Sequence, residues 1–141
     1  MDIDMVGPAI VLGLGCLGSS IGCGIAGMAS HGAMARVEEG HGKFIALSAV
    51  PASQSIYGFL MMIMMRDSLK AGLVSGASGI GIGLFVGIAI MFSSIYQGMC
   101  AATAIQATAK QPGVFGKASA AIAIVETFAI FAFVFGLILI R

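Results

Sequence analysis

The sequence predicts an all-α membrane protein whose four transmembrane helices form two tandem helical hairpins. Three observations predict it. The 141 residues are 59% hydrophobic and only 9% charged, and the mean hydropathy of +1.06 lies far above that of a water-soluble domain. The apolar residues fall into four runs, each long enough to cross about 30 Å of hydrocarbon. Finally, the second half of the chain repeats the first.

The four runs are residues 6–33, 44–65, 74–109 and 118–140, the third being so long that its ends are expected to fray. Charge is confined mostly to the links. Arg36, Glu38, Glu39, His41 and Lys43 separate spans one and two; Arg66, Asp67 and Lys70 separate two and three; Lys110 and Lys117 flank the last link, with Gln111 and Pro112 between them. Links this short make consecutive spans antiparallel neighbours. The first run is too long for a signal-peptide core and follows the acidic leader residues Asp2 and Asp4, so it reads as a retained span.

A gap-free offset that carries Gly7 onto Gly81 also carries Ser19, Ser20 and Ile21 onto Ser93, Ser94 and Ile95, and Gly24 onto Gly98. It continues through Lys43 onto Lys117, Ile56 onto Ile130 and Phe59 onto Phe133. Residues 1–73 and 74–141 are therefore read as two hairpins of the same topology. Spans one and three are glycine-rich, with Gly18 and Gly22, and Gly79 and Gly83, at the four-residue spacing that lets helices approach closely. Spans two and four carry bulk, Met61, Met62, Met64 and Met65 in one and Phe128, Phe131, Phe133 and Phe135 in the other, and are expected to face lipid. A closed ring with a crowded inner wall and an apolar outer wall accounts for both textures.

Several function classes are excluded or disfavoured. A net charge of +1 gives no nucleic-acid footprint. The string from Gly13 to Gly18 matches GxGxxG, yet no strand precedes it, and no glycine cluster continues into a P-loop. Cys16, Cys23 and Cys100 lie singly in apolar runs and read as small packing residues. His31 and His41 lie at or beyond the end of span one and Gln106 near the end of span three, and these read as loop or interfacial polarity.

Glu126 is the one ionisable residue deep in a span, where a carboxylate costs on the order of 3 kcal/mol on the mildest insertion scales. Such a group marks an ion path. In span two, Ser53, Gln54 and Tyr57 share a helical face just after Pro51, whose missing N–H leaves carbonyls near 47–50 with spare acceptor capacity. Span three contributes Gln97. The repeat places Ala52 opposite Glu126 and Cys23 opposite Gln97, so only the second hairpin carries a carboxylate. One negative charge among neutral oxygens suits a small hard monovalent cation better than a transition metal.

At these residues the chain resembles the proteolipid ring subunit, called K or c, of V/A-type rotary ATPases. The motifs are Pro51-x-Ser53-Gln54-x-x-Tyr57-Gly58-Phe59, Gln97-Gly98 and the run from Val125 to Ile130, and the resemblance covers essentially the whole chain. It implies a non-catalytic subunit of a c-type rotor ring in a bacterial cell membrane, partnered by further copies of itself, a stator subunit, the central stalk and lipid. It also implies Na+ as cargo, with H+ as the alternative. The implied ligands are Glu126, Gln54, Gln97, Ser53 and the Val50 backbone carbonyl, with Tyr57 hydrogen-bonded to Glu126. Ser53 stands where a threonine is frequent in that family. Two rival readings are a four-span cation or multidrug antiporter and a non-transporting scaffold. Basic residues favour the 36–43 and 110–117 loops as cytoplasmic only by Arg36, Lys43, Lys110 and Lys117 against Arg66, Lys70 and Arg141.

Overall fold

In the computed structural model, which describes residues 3–141, every long element is an α-helix. Met1 and Asp2, part of the acidic leader, lie outside the described residues. Helix α1 (Val6–Met34) leads through a loop turned at Gly40 (φ 83°) into α2 (His41–Ala49). A single 3-10 turn, Val50–Ala52, joins α2 to α3 (Ser53–Lys70). Pro51 explains the break, because it cannot donate the N–H that an uninterrupted α-helix needs there. The two pieces nevertheless continue as one apolar span.

Arg66, Asp67 and Lys70 belong to the last turns of α3, where the charge pattern suggests a loop. Their turn ends at Gly72 (φ 72°), whose left-handed backbone lets its N–H reach the Leu69 carbonyl at 3.0 Å. Ser75 then caps α4 (Gly76–Lys110), accepting from the Ser78 N–H at 3.2 Å. The expected fraying of this span does not occur. All 35 residues are helical, about 52 Å at 1.5 Å per residue, since no proline interrupts them and both ends are tied. A 3-10 turn, Pro112–Val114, leads into α5 (Phe115–Leu139). The protein is thus an integral membrane protein, with four helices among the described residues long and apolar enough to span.

Helices α1 and α4 run parallel and touch through backbone. A methyl group on Gly7 would strike the Gly79 carbonyl, one on Gly83 the Gly7 carbonyl, and one on Gly98 the Gly22 carbonyl. Glycine is required because the main chains themselves are in contact. Helix α3 closes on α1 through Gly58 and Gly15, and α5 lies on α4 and α3 through a narrow stripe, Ile122, Ala129 and Gly136, at seven-residue spacing.

Phe128, Phe131, Phe135 and Met64 are exposed on the chain, where the outward-facing expectation puts them. The expectation fails for Met61 and Met65, which are buried with Val11, Val86, Ile90 and Ala129. They continue the stripe Gln54, Gly58, Met61, Met65 and Leu69 that faces the other helices. Phe133 is likewise partly buried, its ring 6.0 Å from that of Tyr57.

The glycine contact predicts an asymmetry between two alanine substitutions. Gly98→Ala should lower unfolding stability by about 1–3 kcal/mol, whereas Gly32→Ala, where a methyl meets nothing within 4 Å, should be neutral or stabilising by up to about 1 kcal/mol. Denaturant titration of the purified protein in detergent, followed by circular dichroism, measures both.

Candidate functional site

The break at Pro51 lets the first turn of α3 present polar atoms to its neighbours. Ser53 Oγ lies 3.1 Å from the Val50 carbonyl and 3.2 Å from Gln54 Oε1, able to donate to either. Gln54 Nε2 donates to Gln97 Oε1 of α4 at 2.7 Å. Both glutamines are fully buried. Gln97 Nε2 in turn reaches Glu126 Oε2 of α5 at 3.4 Å, a long contact, and Tyr57 Oη donates to Glu126 Oε1 at 2.9 Å. All six residues singled out in the sequence therefore come together. They form a polar line from the Val50 carbonyl through Ser53, Gln54 and Gln97 to the half-buried Glu126, closed by Tyr57.

Two members of the site's frame carry no chemical signal in the sequence beyond their place in the repeat. Ser94 Oγ donates to the Pro51 carbonyl at 2.9 Å, binding α4 to the break, and Ser93 Oγ donates to the Val125 carbonyl at 2.9 Å, beside Glu126. These bonds fix the glutamine and the carboxylate relative to each other. The carbonyls that side chains use, Val50 and Pro51, sit at and just past the end of the 47–50 run expected to have spare capacity. A pair of serines in an apolar helix is the available clue.

The polar partners of the carboxylate are the Tyr57 hydroxyl and the Gln97 amide. Glu126, Gln54, Gln97, Ser53 and the Val50 carbonyl can supply one charge and four neutral oxygens, a donor set for a hard cation. The Gln97 amide group faces Glu126 through nitrogen. Half a turn about its terminal torsion presents oxygen instead. A cavity of about 150 Å³ adjoins Glu126, lined by Leu47, Val50, Phe115, Ser119 and Ile122 among others. It lies between α2 and α5 on the side of Lys43, whose Nζ stands 5.5 Å from the centre of the Phe115 ring.

An integral membrane protein of two like hairpins, with one polar line across three helices, is the class that fold and site define. The chain belongs to the C-subunit family of ATP synthases, whose model matches it twice, at residues 6–65 and 71–139. It is 34% identical over 138 residues to the A-type ATP synthase subunit K of Methanocaldococcus jannaschii, covering 98% of this chain and 61% of that protein. It is 32% identical over 126 residues to the V-type sodium ATPase subunit K of Enterococcus hirae, covering 88% and 81%. The chain thus spans about three fifths of the length of the archaeal relative.

The Gln54 to Gln97 bond joins α3 to α4 between two fully buried side chains, so the two should be energetically coupled. Gln54→Leu strands the Gln97 oxygen, and the Gln54→Leu, Gln97→Leu double variant should be more stable than the sum of the singles. The expected coupling is about 0.6–1.7 kcal/mol, read from a double-mutant cycle of detergent unfolding.

Proposed function

We propose that the chain is a rotor-ring subunit of a V/A-type ATPase or ATP synthase and that each copy carries one Na+ at Glu126. The single observation that carries this reading is the polar line from Val50 to Glu126, which gathers a lone carboxylate and four neutral oxygens from the Val50–Ala52 turn, α3, α4 and α5. A structural role alone would need one partner for Glu126. Four further oxygens suit a bound ion.

Many copies close into a homo-oligomeric ring in a bacterial cell membrane. While Glu126 faces lipid, a bound Na+ neutralises the carboxylate and spares the cost of a bare charge in hydrocarbon. When rotation brings the site against a separate stator subunit, a basic residue and an aqueous half-channel there stabilise ionised Glu126, and the ion leaves. Each elementary charge moved is worth about 2.3 kcal/mol per 100 mV. The ring passes this energy by rotation to subunits that hold the ATP chemistry, so this chain is itself non-catalytic.

Because the 1–73 hairpin has Ala52 in place of a carboxylate, only the 74–141 hairpin loads an ion, and a ring of given helix number moves fewer ions per turn. The 35–40 and 111–114 links lie at one end, around a cavity of about 610 Å³ lined by Glu38, Glu39, Lys43 and Thr108 among others. This end faces the cytoplasm and the central stalk. Na+ is favoured over H+ by the number of neutral oxygens, which a proton on Glu126 does not need. The name of the Enterococcus relative, a V-type sodium ATPase subunit, supports the same choice. An antiporter dimer is disfavoured by the parallel duplication and by the glycine contact between α1 and α4.

Carbodiimide attacks the protonated carboxyl, so labelling of Glu126 should fall as pH rises and should fall further, at fixed pH, when Na+ is added. Labelling that follows pH alone would replace Na+ by H+. Glu126→Gln should abolish both labelling and ATP-driven transport in the assembled complex; transport that survives would return Glu126 to a scaffold role.

A further inference from the structure

On the N-terminal side of the break at Pro51, the second span parts from the fourth. Helix α3 lies against α5, whereas the backbones of α2 and α5 stay apart, and the cavity of about 150 Å³ beside Glu126 opens between them. Ala46, Leu47 and Val50 form its α2 wall, Phe115, Ser119 and Ala123 its α5 wall, and Glu126 its deep end. Ser119 donates its hydroxyl proton to the Phe115 carbonyl at 2.8 Å, which leaves the wall apolar up to the carboxylate. Tyr57 and Gln97 bind that carboxylate from α3 and α4 and take no part in this wall. A cavity of this size with apolar walls stays dry and takes hydrocarbon.

From Phe115 to Glu126 helix α5 rises about 16 Å at 1.5 Å per residue, half of the about 30 Å of hydrocarbon in a bilayer. The crevice is therefore as long as one leaflet is deep. Its mouth lies where both spans end. There Lys43 Nζ stands 5.5 Å from the centre of the Phe115 ring, and Lys43 also lines the larger cavity of about 610 Å³, together with Glu38 and Glu39. Thr108 stands in the wall of that larger cavity, its buried hydroxyl without a hydrogen-bond partner among the described residues. One ammonium and two carboxylates at the membrane surface complement a headgroup that carries both a phosphate and an ammonium group. An anionic headgroup would meet two like charges there. A primary ammonium can also donate charge-assisted hydrogen bonds to the carboxylates, which a quaternary one cannot.

We propose that the protein holds a phosphatidylethanolamine molecule, with its phosphate at Lys43, its ammonium group at Glu38 and Glu39, and one acyl chain in the crevice between α2 and α5. The acyl chain ends beside Glu126. It covers with hydrocarbon a side of the carboxylate that Tyr57 and Gln97 leave open, and does so whichever cation the carboxylate carries. Water is thereby kept from Glu126 along the one apolar path that leads to it from the loop end.

Photolabelling of the complete membrane complex, with its soluble stalk attached, tests this. The probe is phosphatidylethanolamine with a diazirine midway along one acyl chain, titrated into the detergent-solubilised complex, and peptide mass spectrometry locates the labels after irradiation. Labels should saturate and concentrate at residues 46–50 and 115–123. Unlabelled phosphatidylethanolamine should displace the probe about fivefold better than phosphatidylglycerol with the same acyl chains. Ala123→Phe fills the crevice and should remove the labels there. Lys43→Gln leaves the crevice open and should weaken labelling about fivefold, and Glu38→Gln with Glu39→Gln should erase the preference over phosphatidylglycerol. Labels that spread over Phe128, Phe131 and Phe135 without saturating, or equal displacement by the two lipids, would overturn the proposal. So would labels that enter the crevice only after the stalk is stripped away, which would give its mouth to the stalk. Ion transport enters none of these readouts, so their failure leaves the Na+ reading of Glu126 standing.

Discussion

A carboxylate in hydrocarbon must be neutralised, hydrogen-bonded or brought to water, and the arrangement of helices around Glu126 follows from that requirement. One helix cannot meet it, because its own backbone groups are already used and its side chains point outward. Partners must come from other helices held at fixed height. Gln97 on α4 and Tyr57 on α3 meet the carboxylate directly, while Gln54 holds Gln97. The α1 and α4 glycines act further back, by bringing main chains into contact so that α3 and α5 settle at a set depth beside them. Removing that close approach would shift α4, and with it Gln97, relative to α3 and Gln54.

The 3-10 turn at Pro51 serves the site through two of its carbonyls. Here the Val50 and Pro51 carbonyls accept from Ser53 and Ser94, one within the span and one from α4. The same short stretch therefore anchors the neighbouring helix and keeps a backbone oxygen near the polar line. The first hairpin, with Ala52 at the place of the carboxylate, lacks one of these bonds. Ser19, the counterpart of Ser93, is buried with no hydrogen-bond partner, and the Pro51 carbonyl that would have received it is taken by Ser94.

Much of this is legible in the sequence, for reasons that differ by residue. Glu126, Gln54, Gln97, Ser53 and Tyr57 stand out because polar side chains in apolar spans are costly, and the spacing after Pro51 fixes which of them share a face. The hairpins are visible in the repeat. The outward placement expected of Met61 and Met65 fails because a bulky apolar residue looks the same whether it meets lipid or another helix, and composition cannot separate the two. The charged end of α3 reads as a loop since Arg66, Asp67 and Lys70 mark where hydrocarbon ends, which need not be where helix ends. The expected fraying of α4 fails for the same reason. Ser93 and Ser94 stand out only as markers of the repeat, because a serine can return its hydrogen bond to its own helix and so gives no sign of reaching another.

The central claim is that one carboxylate with its neutral oxygens makes one cation site per chain. Equilibrium binding of radioactive Na+ to the purified, assembled protein tests it most directly. One ion per chain is expected, weakened competitively as pH falls and absent in Glu126→Gln. Two ions per chain, or Na+ binding that survives Glu126→Gln, would contradict it.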